Sequence, residues 1–415
     1  MGLVMLARRG GPDRFPLPMT GSRRIAFVVP RYGPDVIGGV EIQFQEVAHG
    51  MAERGWEVEV LTTCARDHFT WADVYPPGVE EDGKVVVRRF RAVVDTPRAD
   101  RAALEAAILA GHRVDLAGQQ RWMNDDLRVP DLFHYLLDHG DAYRCTFFAP
   151  YLFWTTFACA QVHPDRALLM PALHDEPQAR LELFHPLFAG VRLIWFQTDP
   201  ELELGRRLFP TLAPHENLGS GVPVPSGYDP DRFRRRFGVD GRFVLYAGRR
   251  EGAKRWEWML SAFARATLLE DLPFSLVTIG SGEVRSPAEI ADRVIDLGFV
   301  SIEDRNDAVA AAEAYIQPSP YEAFSRTVME AWLAGTLVIA NEASAVVRWH
   351  CTRSGSGLTF ADDDELAQAL CFLADEPAAA AALAARGRDY VLDNYQWSST
   401  LDRIEDAIDR HFPTA

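Results

Sequence analysis

Lysine is almost missing from this chain. Of 43 basic residues only two are lysines, Lys84 and Lys254, so arginine carries the positive charge everywhere else. A net positive charge is missing too. The 59 acidic residues leave the chain at −16, which argues against nucleic acid, whose binders carry a basic footprint. The short basic runs Arg88–Arg91 and Arg232–Arg236 read as solvated faces rather than lipid or phosphate patches. Cysteine is scarce and odd in number: Cys64, Cys145, Cys159, Cys351 and Cys371. No pair has C-x-x-C spacing, which excludes the usual zinc and redox signatures. Buried free thiols of a reducing compartment are expected instead. Long apolar runs are absent. The longest, Phe147–Ala160, has 14 residues, short of the roughly 20 that span a bilayer. It reads as a strand, a break at Pro150 and a buried helix. The N-terminal MGLVMLARRGG is too short for a signal core and lacks a cleavage site, so a cytoplasmic chain is expected. No period of 20–50 residues repeats, which excludes solenoids. After Gly280-Ser281-Gly282 no third glycine completes a dinucleotide fingerprint.

What is present is an ordinary globular composition, 48% hydrophobic and 25% charged over 415 residues, enough for two or three domains. Residues 1–22 are polar and Gly/Pro-punctuated, and read as a flexible tail. Arg24–Pro30 is a continuous apolar run, as a buried parallel strand should be. After Gly38-Gly39, the residues Val40, Phe44, Val47 and Met51 share one helical face. Gly55 ends that helix and Trp56–Thr62 is the next strand, completing a βαβ unit. Cys145–Phe148, a helix around 152–161, and strands at Ala167–Leu173 and Leu193–Gln197 continue the alternation. Residues 95–140 are polar and helix-rich, an insertion on the side where a second substrate would sit. Asn217–Asp231 reads as a linker. The pattern then restarts with strands at Arg242–Ala247, Phe274–Ile279, Val294–Phe299, Ala314–Gln317 and Leu337–Ala340. A helix is expected over Trp256–Thr267, and Glu322–Leu333 leads into another. The expected organisation is therefore α/β: a Rossmann-like domain over 23–222, a second over 223–390, and a C-terminal helix over 391–415.

Four places carry chemistry. In Pro318–Gly335, Glu322 and Glu330 are separated by seven residues. With Glu322 just before a helix and Glu330 two turns in, they stand about 12 Å apart along the axis, the span of a sugar–diphosphate–ribose unit. Between them the amides of Ser325, Arg326 and Thr327 would form a helix N-terminus, which binds diphosphate without side chains. The plain alternative is two surface carboxylates, against which the flanking P-S and E-A-x-x-A-G stand. In Gly248–Trp256, directly after a strand, Arg249 and Lys254 can neutralise a leaving diphosphate. The plain alternative is a basic cap, but a lysine in a chain that otherwise uses arginine marks a place for a compact charge. His174, with Asp175, ends a strand, where ligands sit in open α/β sheets. It can bond a sugar hydroxyl or accept a proton. Gly38-Gly39 lets backbone approach a phosphate or sugar, or is only a tight turn.

Together these residues resemble the retaining family 4 glycosyltransferases of the GT-B fold, in which two Rossmann-like domains face a cleft. The resemblance covers about residues 24–411 and is more specific in the C-terminal half. It implies that Arg249 and Lys254, in a G-R-x-x-x-x-K loop with Gly248, hold the diphosphate. It implies that Glu322 contacts donor sugar hydroxyls and Glu330 the ribose, and that Leu297–Val300 receives the nucleobase largely through backbone. The donor-binding set is then Gly38, Gly39, Gly248, Arg249, Lys254, Gly280, Phe299, Val300, Glu322, Phe324, Ser325, Arg326, Thr327 and Glu330. His174, Arg249, Lys254 and Glu322 are the catalytic candidates. It further implies transfer of a sugar from a nucleotide-diphosphate donor to an acceptor hydroxyl with retention, by front-face attack. No metal or other cofactor is expected, since no D-x-D pair is placed to hold an ion, and membrane contact is at most weak and peripheral. The C-terminal segment, with Trp397, is expected to cross back onto the first domain. Three departures stand out. Arg255 and Ser325 replace common glycines, and Ala343-Ser344-Ala345-Val346-Val347 replaces a G-G-x-x-E loop. A nucleotide-sugar 2-epimerase, a non-catalytic nucleotide-sugar-binding module and, more distantly, an oxidoreductase are the rival readings.

Overall fold

A computed structural model describes residues 23–36, 38–94, 99–125 and 127–414. The tail expected over 1–22 lies outside them. Strands β1 (Arg24–Val28), β2 (Glu57–Thr63), β3 (Gly78–Asp82) and β4 (Val85–Phe90) come first. A small ribbon of β5 (Val93–Val94) and β6 (Leu127–Arg128) follows, then β7 (Cys145–Phe148), β8 (Ala167–Leu169), β9 (Leu193–Phe196) and β10 (His215–Asn217). The first sheet has the order β10-β9-β8-β7-β1-β2-β4-β3 and is parallel except for β3 on β4. The second sheet uses β11 (Arg242–Ala247), β12 (Phe274–Ile279), β13 (Val294–Asp296), β14 (Ala314–Gln317), β15 (Leu337–Asn341) and β16 (Leu358–Phe360). Its order is β13-β12-β11-β14-β15-β16, and every pair is parallel.

Each sheet is covered on both faces, as parallel sheets require. In β1 the alternation is plain. Ile25 and Phe27 join one core with Phe44, Val47 and Met51 of helix α1 (Gly39–Glu53), and Ala26 and Val28 join the other. Phe27 stacks on Phe147 at 4.5 Å and meets Phe44 edge-on at 5.4 Å. The 95–140 stretch contains helices α2 (Ala99–Leu109), α3 (Leu116–Asn124) and α4 (Pro130–His139). α5 (Trp154–Cys159), α6 (His185–Gly190) and α7 (Asp199–Leu208) complete the first domain.

The structure departs from sequence expectation where partners override pattern. The Arg88–Arg91 run is solvated only at Arg91. Its first two members lie in β4, where Val85 and Val87 turn to the core. Arg88 Nε donates to buried Glu59 at 2.8 Å, and Arg89 bonds Glu80 and the Tyr32 carbonyl. Helix α8 (Pro230–Phe237) holds the other run. Its Arg232 and Arg236 pair with Asp307 and Asp304 of α10 (Ile302–Ala311). The strand expected to reach Leu173 stops at Leu169, ahead of Pro171, which has no N–H to give a ladder. All five cysteines are free, though Cys371 is only half-buried.

The second domain adds α9 (Trp256–Glu270), α11 (Arg326–Leu333), α12 (Ala345–Ser354), α13 (Asp363–Asp375) and α14 (Pro377–Asn394). The chain then returns to the first domain through α15 (Trp397–His411). Leu401, Ile404 and Ile408 enter the same core as α1, and Leu401 lies over Gly50. At roughly 1.5–3 kcal/mol for each fully buried aliphatic side chain, these three contribute several kcal/mol. Arg54 and Trp56 bind Glu405, and Arg410 and His411 bind Glu216.

Behind the loop that ends β14, His350 of α12 is fully buried. Its Nδ1 lies 2.9 Å from the Tyr390 hydroxyl, which lies 2.8 Å from that of Tyr395. Burial pushes this imidazole down to about 3. Unfolding lets it bind a proton below its ordinary 6.5, so it weakens the fold as pH falls from about 6.5 towards 3. His350→Gln keeps a polar side chain that takes no proton. Between pH 7 and pH 5 its melting temperature should fall less than that of the wild type. Parallel melting curves would refute this assignment.

Candidate active site at the interdomain cleft

In both sheets the strand order reverses beside the first strand, and crevices form at the carboxyl ends of strands at such a point. In the second sheet the reversal lies between β11 and β14. The loop after β11 carries Lys254 and the loop after β14 carries Glu322, which is why residues 68 apart in sequence meet. Lys254 Nζ lies 2.8 Å from Glu322 Oε1 and 3.5 Å from Ser319 Oγ. The side chains are 28% and 13% exposed, so the pair is shielded yet open to the cleft. Gln317, at the end of β14, ties this loop together. Its amide donates to Ser325 Oγ at 3.0 Å, with Thr327 Oγ1 at 3.4 Å and Glu322 Oε1 at 3.5 Å. Asn341, ending β15, donates to the Pro318 carbonyl at 2.9 Å.

The loop after β11 is shaped from beneath. Tyr246 donates to the Arg249 carbonyl at 2.6 Å and Tyr315 to that of Ala247 at 3.1 Å. Gly280, at φ +134°, presses on this loop so tightly that a Cβ there would lie 2.1 Å from the Gly248 oxygen. The two neighbouring arginines divide the work. Arg250 is buried and holds Thr278, the Gly282 carbonyl and Asp296. Arg249 faces the cleft, 3.1 Å from Glu251 and 3.4 Å from His68 Nε2 of the first domain. Burial, with Arg31 and Arg249 nearby, pushes His68 down to about 4, so the imidazole is neutral and accepts from Arg249.

One expectation about the Glu322–Glu330 stretch needs correction. Helix α11 starts at Arg326, so Glu330 is only just past its first turn, not two turns in, and the 12 Å axial spacing does not apply. The eight-residue loop 318–325 places Glu322 instead. The Phe324 ring is 3% exposed and packs against His350 and Tyr395. The Arg326 guanidinium turns to the first domain and pairs with Glu46, leaving only its backbone at the helix N-terminus. Glu330 lies 3.1 Å from Arg305 and 3.9 Å from Arg326. Phe299 is largely exposed at the end of the loop after β13, and Val300 packs partly against the second-domain core.

From the first domain, His174 faces this group. Its Nδ1 lies 3.3 Å from Glu176, which also accepts from Tyr151 at 2.9 Å. Burial works against the imidazolium, but Glu176 outweighs it and the proton is held more tightly than usual. Lys254 opposes and Glu322 adds to this, so both are near enough to be felt. Beneath His174, the buried Glu201 accepts from the Leu173 and Gln197 amides at 2.7 and 2.6 Å. Burial pushes its carboxyl up to about 7. Thr198 caps α7 and its hydroxyl crosses to the Ala323 carbonyl at 3.2 Å, next to Glu322. Gly38 precedes α1 with a Cβ direction blocked by Glu41, whereas a Cβ on Gly39 would meet nothing within 4 Å.

Sequence reasoning did not single out Gln317, Ser319, Glu176, Glu201, Thr198 or His68. One signal was available: Thr198 and Glu201 stand in a T-x-x-E capping pattern. Here the glutamate turns to the amides of Leu173 and Gln197. Of the other four, Gln317 ends β14, and His68, Glu176 and Ser319 sit in loops without a pattern.

These two reversed sheets and the cleft between them are the GT-B fold. Sucrose-phosphate synthase from Thermosynechococcus elongatus superposes with a TM-score of 0.73 at 19% identity, over 94% of this chain and all of that one. Anabaena HepE in complex with UDP-glucose gives 0.67 at 15%, over 93% and 99%. Residues 241–376, in the second domain, match the family described as "Glycosyl transferases group 1". It is 32% identical to the MMP alpha-(1->4)-mannosyltransferase of Mycolicibacterium hassiacum over 189 residues, 42% of this chain and 45% of that one. It is 26% identical to the D-inositol 3-phosphate glycosyltransferase of Thermobispora bispora over 418 aligned positions, 88% of each. Against the first curated relatives the match spans only 30–50% of their length.

Both non-glycine departures fall on left-handed backbone: Arg255 at φ +54° and Ser325 at φ +65°. That conformation costs a side-chain-bearing residue about 1–2 kcal/mol. Arg255 regains part of it by lying 4.9 Å over the Trp258 ring, worth about 0.5–1 kcal/mol at an exposed site. Arg255→Gly should therefore raise stability by up to about 1 kcal/mol in denaturant unfolding. A loss would mean that the side-chain contacts outweigh the strain.

Proposed function

We propose that this protein transfers a sugar from a nucleotide-diphosphate donor to an acceptor hydroxyl with retention of anomeric configuration. The observation that carries the reading is the Lys254–Glu322 pair at the strand-order reversal, beside the N-terminus of α11 and opposite His174. On this reading the diphosphate lies against the Arg326 and Thr327 amides, which point at an anion from the positive end of a helix. Lys254 and Arg249 neutralise the charge that grows on the leaving phosphate. Glu322 accepts from sugar hydroxyls and Glu330 from the ribose. His174 bonds the sugar from the other wall. The anomeric carbon–oxygen bond to phosphate breaks as the acceptor oxygen attacks the same face. The acceptor proton passes to the departing phosphate oxygen, so no protein nucleophile is consumed. Gly39 supports the placement, since nothing in the described packing requires a glycine there.

The relatives' names span mannosyl transfer, as in the MMP alpha-(1->4)-mannosyltransferase and the phosphatidyl-myo-inositol mannosyltransferase, and glucosyl transfer, as in the 2-deoxystreptamine glucosyltransferase, and the acceptor is proposed only as a hydroxyl. Among the described residues no single helix is long and apolar enough to cross a membrane. We place the reaction in the cytoplasm, a reading that the free thiols support.

The reading is tested first by thermal shift against UDP, GDP, ADP, dTDP and their common sugars, with and without magnesium. One nucleoside diphosphate should raise the melting temperature irrespective of magnesium, since a ligand that binds the native state stabilises it. Lys254→Ala and Glu322→Ala should each lower acceptor-dependent nucleotide release by about 100-fold or more, the usual effect of removing one charge-stabilising group. Both should remain folded. Wild-type turnover by either variant would put the active site elsewhere. Nucleotide release without any acceptor would point to the epimerase reading.

A further inference from the structure

Two residues distant in sequence, Arg326 and Trp397, bond one carboxylate, Glu46 of α1, and the outgoing linker packs beside them. Arg326, the first residue of α11, grips it with two parallel bonds of 2.8 and 2.9 Å. Trp397, the first residue of the returning helix α15, donates its indole N–H to the same group at 3.0 Å. Gly221 of the outgoing linker accepts from Arg326 at 3.3 Å and lies so close under Trp397 that a Cβ would fall 2.4 Å from the ring. The Arg326 side chain is 9% exposed and that of Glu46 is 23% exposed. A bidentate guanidinium–carboxylate pair so shielded is among the stronger polar contacts a protein makes.

The position of Arg326 is unfavourable on its own helix. A cation at the first residue sits at the positive end of the helix dipole. Its nearest alternative acid is Glu330, one turn on. Arg326 Nη2 lies 3.9 Å from Glu330 Oε1, while Arg305 holds Oε2 at 3.1 Å. Arg326 therefore stands between two carboxylates, one on each domain. The bonds to Glu46 exist only while the domains are together.

We propose that Arg326 is a two-position switch: with the domains closed it is held by Glu46, and with the domains parted it folds back onto Glu330. Glu46 is then a positioning residue, 280 positions from Arg326 in sequence, that keeps Glu330 Oε1 available to a donor hydroxyl only in the closed enzyme. The ribose assignment of Glu330 rests on the function proposed above. The pairing itself does not.

The test compares Glu46→Gln, Arg326→Met and the double variant by calorimetric titration with the nucleoside diphosphate that binds the wild type. Glu46→Gln frees Arg326 to cover Glu330 and should weaken binding about tenfold, within the usual range of coupling between sites. Arg326→Met has no charge to fold back and should lose threefold or less. The double variant should behave as Arg326→Met alone. Small-angle scattering without ligand should show both single variants more expanded than the wild type. If Arg326→Met melts early, Arg326→Gln gives the same comparison. A merely structural pair would make Arg326→Met at least as damaging as Glu46→Gln, and that order would overturn the switch. So would wild-type affinity in Glu46→Gln. If the wild type binds none of UDP, GDP, ADP or dTDP, the donor reading itself falls and takes the switch with it. Altered scattering without altered affinity would overturn the switch alone.

Discussion

The reversal of strand order in two parallel sheets is the constraint on which the rest depends. A parallel strand must be followed by a crossover, so every strand ends in a loop on the same edge. Where successive strands turn away from each other, two such loops part and leave room. In the second sheet those loops hold Lys254 and Glu322. In the first they follow β1 and β7, with His174 arriving one strand further on. The ion pair, the glycine contact between Gly280 and Gly248 and the buried Arg250 are ways of holding these loops once topology has placed them. Arg250 shows the division of labour well. Next to a cleft-facing arginine, it spends its guanidinium on a hydroxyl, a carbonyl and Asp296.

Much of this was legible in the residues. Strands at 145–148, 242–247, 274–279 and 314–317 appear with the ends that their apolar runs indicate, because a strand buried on both faces is written as a continuous run. Lys254 was legible as an exception to the chain's own composition. Other features were hidden for physical reasons. The β3–β4 hairpin carries arginines whose partners include Glu59 of β2 and the Tyr32 carbonyl, both outside the hairpin. Glu330 was set one turn too deep because the spacing of two glutamates does not say where a helix begins. Ser325 adopts left-handed backbone, which ends the loop and starts α11 one residue later. Arg326 was read for its amide, since nothing local announces that its side chain belongs to α1.

The polar groups around the cleft are graded by burial. His68 is held neutral by burial and by nearby arginines, His174 is held towards its charged form by Glu176, and Glu201 is raised towards neutrality by its depth. Three groups of ordinary chemistry thus hold different proton states within one crevice, because each sees a different mixture of burial and charge.

The two passages of chain between the domains run side by side. The Val222 amide donates to the Tyr395 carbonyl at 3.0 Å, and Thr400 and Arg403 bond the carbonyls of Ser220 and Leu218. Two straps fastened to each other act as a leaf hinge rather than a tether. Sliding one domain along the other would shear these bonds in succession, whereas folding about the line they define leaves them intact. A fold about that line would part the bonds across the cleft, from His68–Arg249 to Thr198–Ala323, together.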